Sequence, residues 1–249
     1  MKSYLIRILF QSILIAIVVA IYGKVIKFEE INIEFKDGRK SKLLALVAVL
    51  ISVLMTAIYN KYFISIFPIN TLLNFFIVRL VLVIPAIVCI IVNKEGISNL
   101  GFTKKNLLKS IFLGFLIGVI YFLSYKKMSL YDISNIVLQF KGTLIYLFVY
   151  CLIIGLAEEF LYRGYLQTRL MAVNGKVNGW IIASIIFAFM HFPQKIVVNK
   201  FGLVQATLSC AELLPISLLL GYISIKNKNI ISNIIFHGFI DFTSFIFML

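Results

Sequence analysis

Eight runs of mostly apolar residues follow one another along the chain, near positions 8–23, 43–60, 70–92, 107–125, 143–162, 179–192, 203–223 and 229–249, with short polar breaks between them. A hydrocarbon core of about 30 Å takes about 20 apolar residues to cross as a helix, so this repetition constrains the fold more than any other feature. It implies an all-α protein, a polytopic membrane helix bundle of about eight transmembrane helices, the sixth of them short. Composition agrees: 61% hydrophobic and 14% charged residues over 249 positions, with a mean hydropathy of +1.03, lie outside the range of soluble domains.

The longest polar connection is 24–42, and no repeat, low-complexity tract or linker divides the sequence, so 1–249 reads as a single integral membrane domain. The first run follows Lys2 and Arg7 as a signal peptide would. No small-residue cleavage site follows before KVIKFEEINIEFKDGRK, and the run is read as a retained helix. Cys89, Cys151 and Cys210 lie inside apolar runs without neighbours at metal-ligand spacing and read as packing residues. Gly114 and Gly118 are spaced for a close helix approach, and Pro85 is expected to kink the third span.

Charge gives an orientation. Of the 24 Lys and Arg residues, Lys2, Arg7, Lys61, Lys126, Lys127, Lys141, Lys195 and Lys200 fall on one side, Arg79 lies inside a span, and the remaining fifteen fall in the first, third, fifth and seventh connections. The positive-inside tendency places those odd-numbered connections in the cytoplasm and both termini outside. The net charge of +14 is explained by this bias, and no basic face or RNA-binding fold supports a nucleic-acid partner.

Ionisable groups at membrane depth are costly and usually face a cavity or a partner. Glu158, Glu159 and Arg163 share one helix, and Glu159 with Arg163 makes an i, i+4 pair of favourable polarity. Adjacent helical positions point about 100° apart, so the two acids are expected on different faces: Glu159 neutralised by Arg163, Glu158 alone facing water. The only histidines, His191 and His237, both lie in apolar runs, and Asp241 follows His237 by one turn.

Glu158 lies 17 residues before Gly175 and His191 lies 16 after it, so two antiparallel helices leaving that turn at about 1.5 Å per residue bring the two side chains to one level. His237, nine residues beyond Lys228, enters from the same side to roughly 14 Å. Arg163 and Arg169 are expected to lift the end of helix five toward the interface. The three side chains are expected to converge on a buried cavity open to the cytoplasm.

Such a set suits water activation. A desolvated carboxylate takes a proton from water, a neutral imidazole holds that water or a metal, and a second His with an Asp steadies charge developing on a carbonyl oxygen. That describes peptide-bond hydrolysis. The set Glu158, His191 and His237 would equally suit a catalytic zinc with an open position, and the sequence leaves metal-free and metal-assisted routes open.

In order and spacing, these residues resemble the CPBP intramembrane proteases, the type II CAAX prenyl proteases and their bacterial relatives, some called Abi or bacteriocin self-immunity proteins. The family pattern E-E-x-x-x-R, F-x-x-x-H, H-x-x-x-N/D reads here as EEFLYR at 158–163, FAFMH at 187–191 and HGFID at 237–241, within a segment from about 142 to 241. The resemblance implies Glu158 as general base, His191 as its partner in binding the nucleophilic water, His237 and Asp241 on the oxyanion side, and Glu159 and Arg163 in support. Asp241 stands where the eukaryotic enzymes usually carry Asn, and an ionised Asp cannot donate a hydrogen bond.

The expected protein is therefore a CPBP-type endopeptidase in the plasma membrane of a bacterium, acting on a membrane-embedded or lipidated peptide or protein. The alternative is a non-proteolytic scaffold, an immunity or regulatory protein that binds a peptide or a sensor kinase. Phe187 reads as core. Arg79 in span three and Glu212 in span seven stand outside the motif, and a mutual pairing is the favoured expectation for them.

Overall fold

The computed structural model describes residues 2–29, 35, 37–62, 72–125 and 142–248. Of the residues counted for orientation, Lys36, Lys126, Lys127 and Lys141 lie outside these. Helices run through α1 (Lys2–Val25), α2 (Gly38–Tyr62), α3 (Leu72–Val92), α4 (Leu107–Tyr125), α5 (Thr143–Glu159), α6 (Thr168–Asn174), α7 (Lys176–Phe189), α8 (Phe192–Val197), α9 (Leu203–Ala211), α10 (Leu214–Asn227) and α11 (Ile231–Met248). Among the described residues, seven stretches are long and apolar enough to cross a membrane, and Ile231–Phe247 is a further, shorter apolar helix. The protein is a polytopic helical bundle. Only 22–39% of each span is buried inside the protein, so most of its apolar surface is left to face lipid.

The fifth span differs most from the sequence reading. α5 and α6 form one helix from Thr143 to Asn174, joined by a wide π-helical stretch, Phe160–Gln167. Every residue of that stretch after Phe160 is buried, because α2, α3, α7, α10 and the 3₁₀ turn Ile97–Leu100 surround it. Arg163 and Arg169 are both 0% exposed, so neither lifts the helix toward the interface. Arg169 pairs with Glu95 and donates to the Tyr165 carbonyl at 2.7 Å. Gly175, at φ 81°, ends the helix in a backbone conformation other residues rarely adopt.

The sixth span breaks at Met190–His191 before α8, which starts with Pro193 in its first turn. The seventh breaks at Glu212–Leu213 before α10, with Pro215 in its first turn. Pro tolerates a first helical turn because the N–H it lacks has no partner there.

One buried cluster gathers α2, α3, the π-helical stretch and α7 around Leu161, Tyr165 and Phe187. A second gathers α1, α4, α10 and α11 around Ile15, Ile117 and Phe236. The Gly114/Gly118 spacing does serve a close approach: a Cβ on Gly114 would stand 2.9 Å from Ile235 Cβ, and one on Gly118 would stand 2.2 Å from the Phe239 ring, both on α11.

Hydrogen bonds define the two ends of the bundle. At one, Asn229 Nδ2 donates to the Thr103 and Lys105 carbonyls at 2.8 and 2.9 Å, Ile230 N donates to Gly101 O at 3.1 Å, Asn106 Nδ2 donates to Glu29 O at 3.0 Å, and Lys42 Nζ donates to Asn174 Oδ1 at 3.3 Å. This end collects the basic odd-numbered connections. At the other, Tyr59 OH donates to Asn74 Oδ1 at 2.6 Å, tying the end of α2 to the start of α3.

Candidate active site

α5 and α11 cross at two glycines. A Cβ on Gly155 would lie 2.8 Å from Ile234 O and 3.2 Å from His237 Cβ, and one on Gly238 would lie 2.7 Å from Leu152 Cδ2. Only the missing side chains permit this approach, and one turn beyond Gly155 it sets both glutamates beside His237.

Glu159 is fully buried. Its Oε1 accepts a hydrogen bond from His237 Nδ1 at 2.8 Å, and its Oε2 accepts one from Asn233 Nδ2 at 3.2 Å. The pairing with Arg163 is present at a longer range, 3.6 Å from Oε2 to Nε. Arg163 Nη2 donates to Ser217 O and Oγ, each at 3.2 Å, and the guanidinium lies 4.5 Å from the centre of the Phe187 ring. Glu159 is thus more than the neutraliser of an arginine, since its shortest contact fixes an imidazole.

Glu158 Oε2 stands 3.7 Å from His191 Nε2 and 3.7 Å from His237 Nε2, so the expected convergence is present. His191 Nδ1 lies 2.8 Å from Phe187 O. A carbonyl only accepts, so Nδ1 carries the hydrogen and Nε2 is turned toward Glu158. His237 is held in the same sense by Glu159. Gaps of 3.7 Å are too long for direct hydrogen bonds and are the separations a bridging water spans. Asp241 Oδ2 is 3.8 Å from His237 Nε2 and has no hydrogen-bond partner among the described residues.

Phe187 is 3% exposed, as a core residue should be, yet it borders the cluster: Arg163 on its face, His191 at 5.0 Å, Tyr162 at 5.0 Å and His237 at 6.2 Å between ring centres. Ser217 and Asn233, which complete the polar shell, carry no motif signal and come from helices remote in sequence.

Glu158 and His191 line a cavity of about 250 Å³ whose walls include Asn60, Asn74, Arg79, Tyr150, Tyr162 and Gln194. His237 and Asp241 flank Glu158 without lining it. The walls come from the second half of α2, the first half of α3 and the region of α8, so the cavity opens at the end of the bundle opposite the basic connections. Equal counting from Gly175 placed Glu158 and His191 at one level, but that level lies nearer the far end of α7.

One further expectation changes. No ion pair joins Arg79 to Glu212 among the described residues; Arg79 faces the cavity instead. Among the described residues, no group of three or more His, Cys, Asp and Glu side chains is arranged to hold a metal ion.

Fold and site together define a class, a multi-pass helical membrane protein whose buried carboxylate and imidazole cluster opens into a cavity. Residues 140–243 match the family described as type II CAAX prenyl endopeptidase Rce1-like, and that segment holds every motif residue from Glu158 to Asp241. The role of that family is CAAX-type intramembrane proteolysis. Helices α1 to α4 precede the matched segment. No curated protein and no solved structure matches the chain.

Proposed function

We propose that the protein is an intramembrane endopeptidase that hydrolyses a peptide bond of a membrane-embedded or lipidated peptide, with Glu158 as general base. The observation that carries this reading is the placement of Glu158 Oε2 at 3.7 Å from two imidazole Nε2 atoms whose other nitrogens are already engaged, at the wall of a cavity. A water lying among them can donate one proton to Glu158 and be held by His191 through its Nε2. The hydroxide equivalent attacks the scissile carbonyl, and Glu158 then delivers the proton to the leaving amine, so that one water and one amide become one carboxyl and one amine. His237, with Glu159 on its Nδ1 and Glu158 and Asp241 around its Nε2, acts as the imidazolium, and its Nε2–H donates to the carbonyl oxygen as negative charge develops there. Every step uses side chains of this chain and none is routed through a metal.

With the basic connections taken as cytoplasmic, this reading has the cavity mouth on the extracytoplasmic side of the membrane. A cytoplasmic mouth, as the sequence alone suggested, would require the reverse orientation of the whole bundle. The function is tested by comparing the membrane-peptide profiles of cells producing the wild-type protein and Glu158→Ala. The reading expects one or more peptides to be shortened only with the wild type. Identical profiles would favour the scaffold alternative.

A further inference from the structure

Arg79 is an intramembrane cation that the family match does not reach and the catalytic cluster does not use. It lies in the first half of α3, within the span Asn74–Val92, and it lines the same cavity as Glu158 and His191. Among the described residues its Nε is buried without a hydrogen-bond partner, and its ring contact is Phe75 at 5.4 Å. No described carboxylate lies within 4.0 Å of it, although its charge reaches Glu158 and Asp241 across the cavity. Near it, the cavity wall offers neutral groups, Asn60, Asn74 and Tyr150.

An unpaired guanidinium inside a span is costly, and such residues usually mark a substrate path or a counter-ion site. The planar fork of donors matches a carboxylate in two-point geometry, in a setting where each charge-assisted hydrogen bond is strong. We propose that Arg79 binds a carboxylate of the substrate, either a free C terminus or an acidic side chain, and so fixes which peptide bond is presented to Glu158. This rests on the proteolytic reading above and names its substrate class. Because Arg79 and Glu158 face one cavity without pairing, a peptide anchored at Arg79 by its carboxylate extends toward the water held by Glu158 and His191. Neutral amides on the wall can take its backbone groups. The bond cut is then one a short, fixed distance from a carboxylate.

The test uses the full-length protein in vesicles and an N-acylated, internally quenched peptide in three versions: a free C-terminal acid, its C-terminal amide, and the amide with Glu as last residue. Binding is read in a Glu158→Gln background and cleavage with Glu158 intact, each with Arg79, Arg79→Lys and Arg79→Gln. With Arg79, one or both carboxylate-bearing peptides should bind roughly 10- to 100-fold more tightly than the plain amide. Arg79→Gln should bring that ratio to about one, and Arg79→Lys should leave part of it. The version preferred identifies the source of the carboxylate. Equal affinity of all three for the Arg79 protein, or a preference that survives Arg79→Gln, overturns the proposal. If no version is cleaved but the preference is present and depends on Arg79, the proteolytic reading falls and this one stands. Should Arg79→Gln fail to purify, the ratio with Arg79 and with Arg79→Lys decides.

Discussion

His237 is held between two consecutive carboxylates: Glu159 Oε1 lies 2.8 Å from its Nδ1, and Glu158 Oε2 lies 3.7 Å from its Nε2. Adjacent helical side chains diverge by about 100°, which led the sequence reading to separate the two acids into a structural and a chemical one. The crossing of α5 and α11 at Gly155 and Gly238 brings the imidazole close enough to meet both. One glutamate engages Nδ1 and the other faces Nε2.

Glu159→Gln should therefore lose both activity and stability. The neutral amide cannot balance Arg163, which keeps Ser217 and the Phe187 ring but loses its nearest carboxylate, and it weakens the carboxylate–imidazole contact. Arg163→Ala, which leaves Glu159 buried beside nothing but His237 and Asn233, should cost about 3–5 kcal/mol of stability. In the double variant Glu159→Gln/Arg163→Gln, thermal melting should recover much of the loss while cleavage stays impaired. Recovery of cleavage along with stability would mean that Glu159 does not orient His237.

His191→Ala and His237→Ala should each abolish cleavage, and combining either with Glu158→Gln should add little, because residues acting on one water fail as a unit. Kinetics of the three single and two double variants measure this. Losses that multiply would assign the imidazoles to separate steps.

Gly155→Ala should lower both melting temperature and activity, since the new methyl would stand 2.8 Å from Ile234 O, a backbone atom with no rotamer to escape into. Gly142, where an added Cβ meets nothing within 4 Å, is the control, and Gly142→Ala should behave as wild type. Equal tolerance at both positions would show that the helix crossing is looser than its contacts imply.

The side on which the cavity opens can be read with a cysteine. In a background lacking Cys89, Cys151 and Cys210, Val198→Cys at the cavity rim should react with a membrane-impermeant thiol reagent added to intact cells, while Lys40→Cys should react only after permeabilisation. The opposite pattern would place the basic connections outside and the mouth in the cytoplasm.

Much of the site was legible because the sequence is so poor in ionisable intramembrane residues. Two histidines and one Glu-Glu pair, at spacings that bring them level, leave few other ways to satisfy them. The eight apolar helices were legible from length alone. The extension of the fifth span to Asn174 was not, because Arg163, Gln167 and Arg169 look like the start of a loop until their partners are known: Ser217, the Gly221 carbonyl that Gln167 Nε2 reaches at 3.1 Å, and Glu95. Those partners lie 54 residues ahead or 74 behind, beyond any local pattern. Arg79 was visible as an oddity, but its cavity forms only when α2, α3 and α8 meet.

The central claim is that Glu158 is the base, and the most direct measurement is turnover by purified Glu158→Gln of a peptide that the wild-type protein cleaves. Glutamine keeps the size of the side chain and its ability to accept a hydrogen bond, but it cannot take a proton from water. Cleavage should disappear while the melting temperature and the affinity for that peptide stay close to wild type. Turnover of the same bond at the wild-type rate would contradict the account.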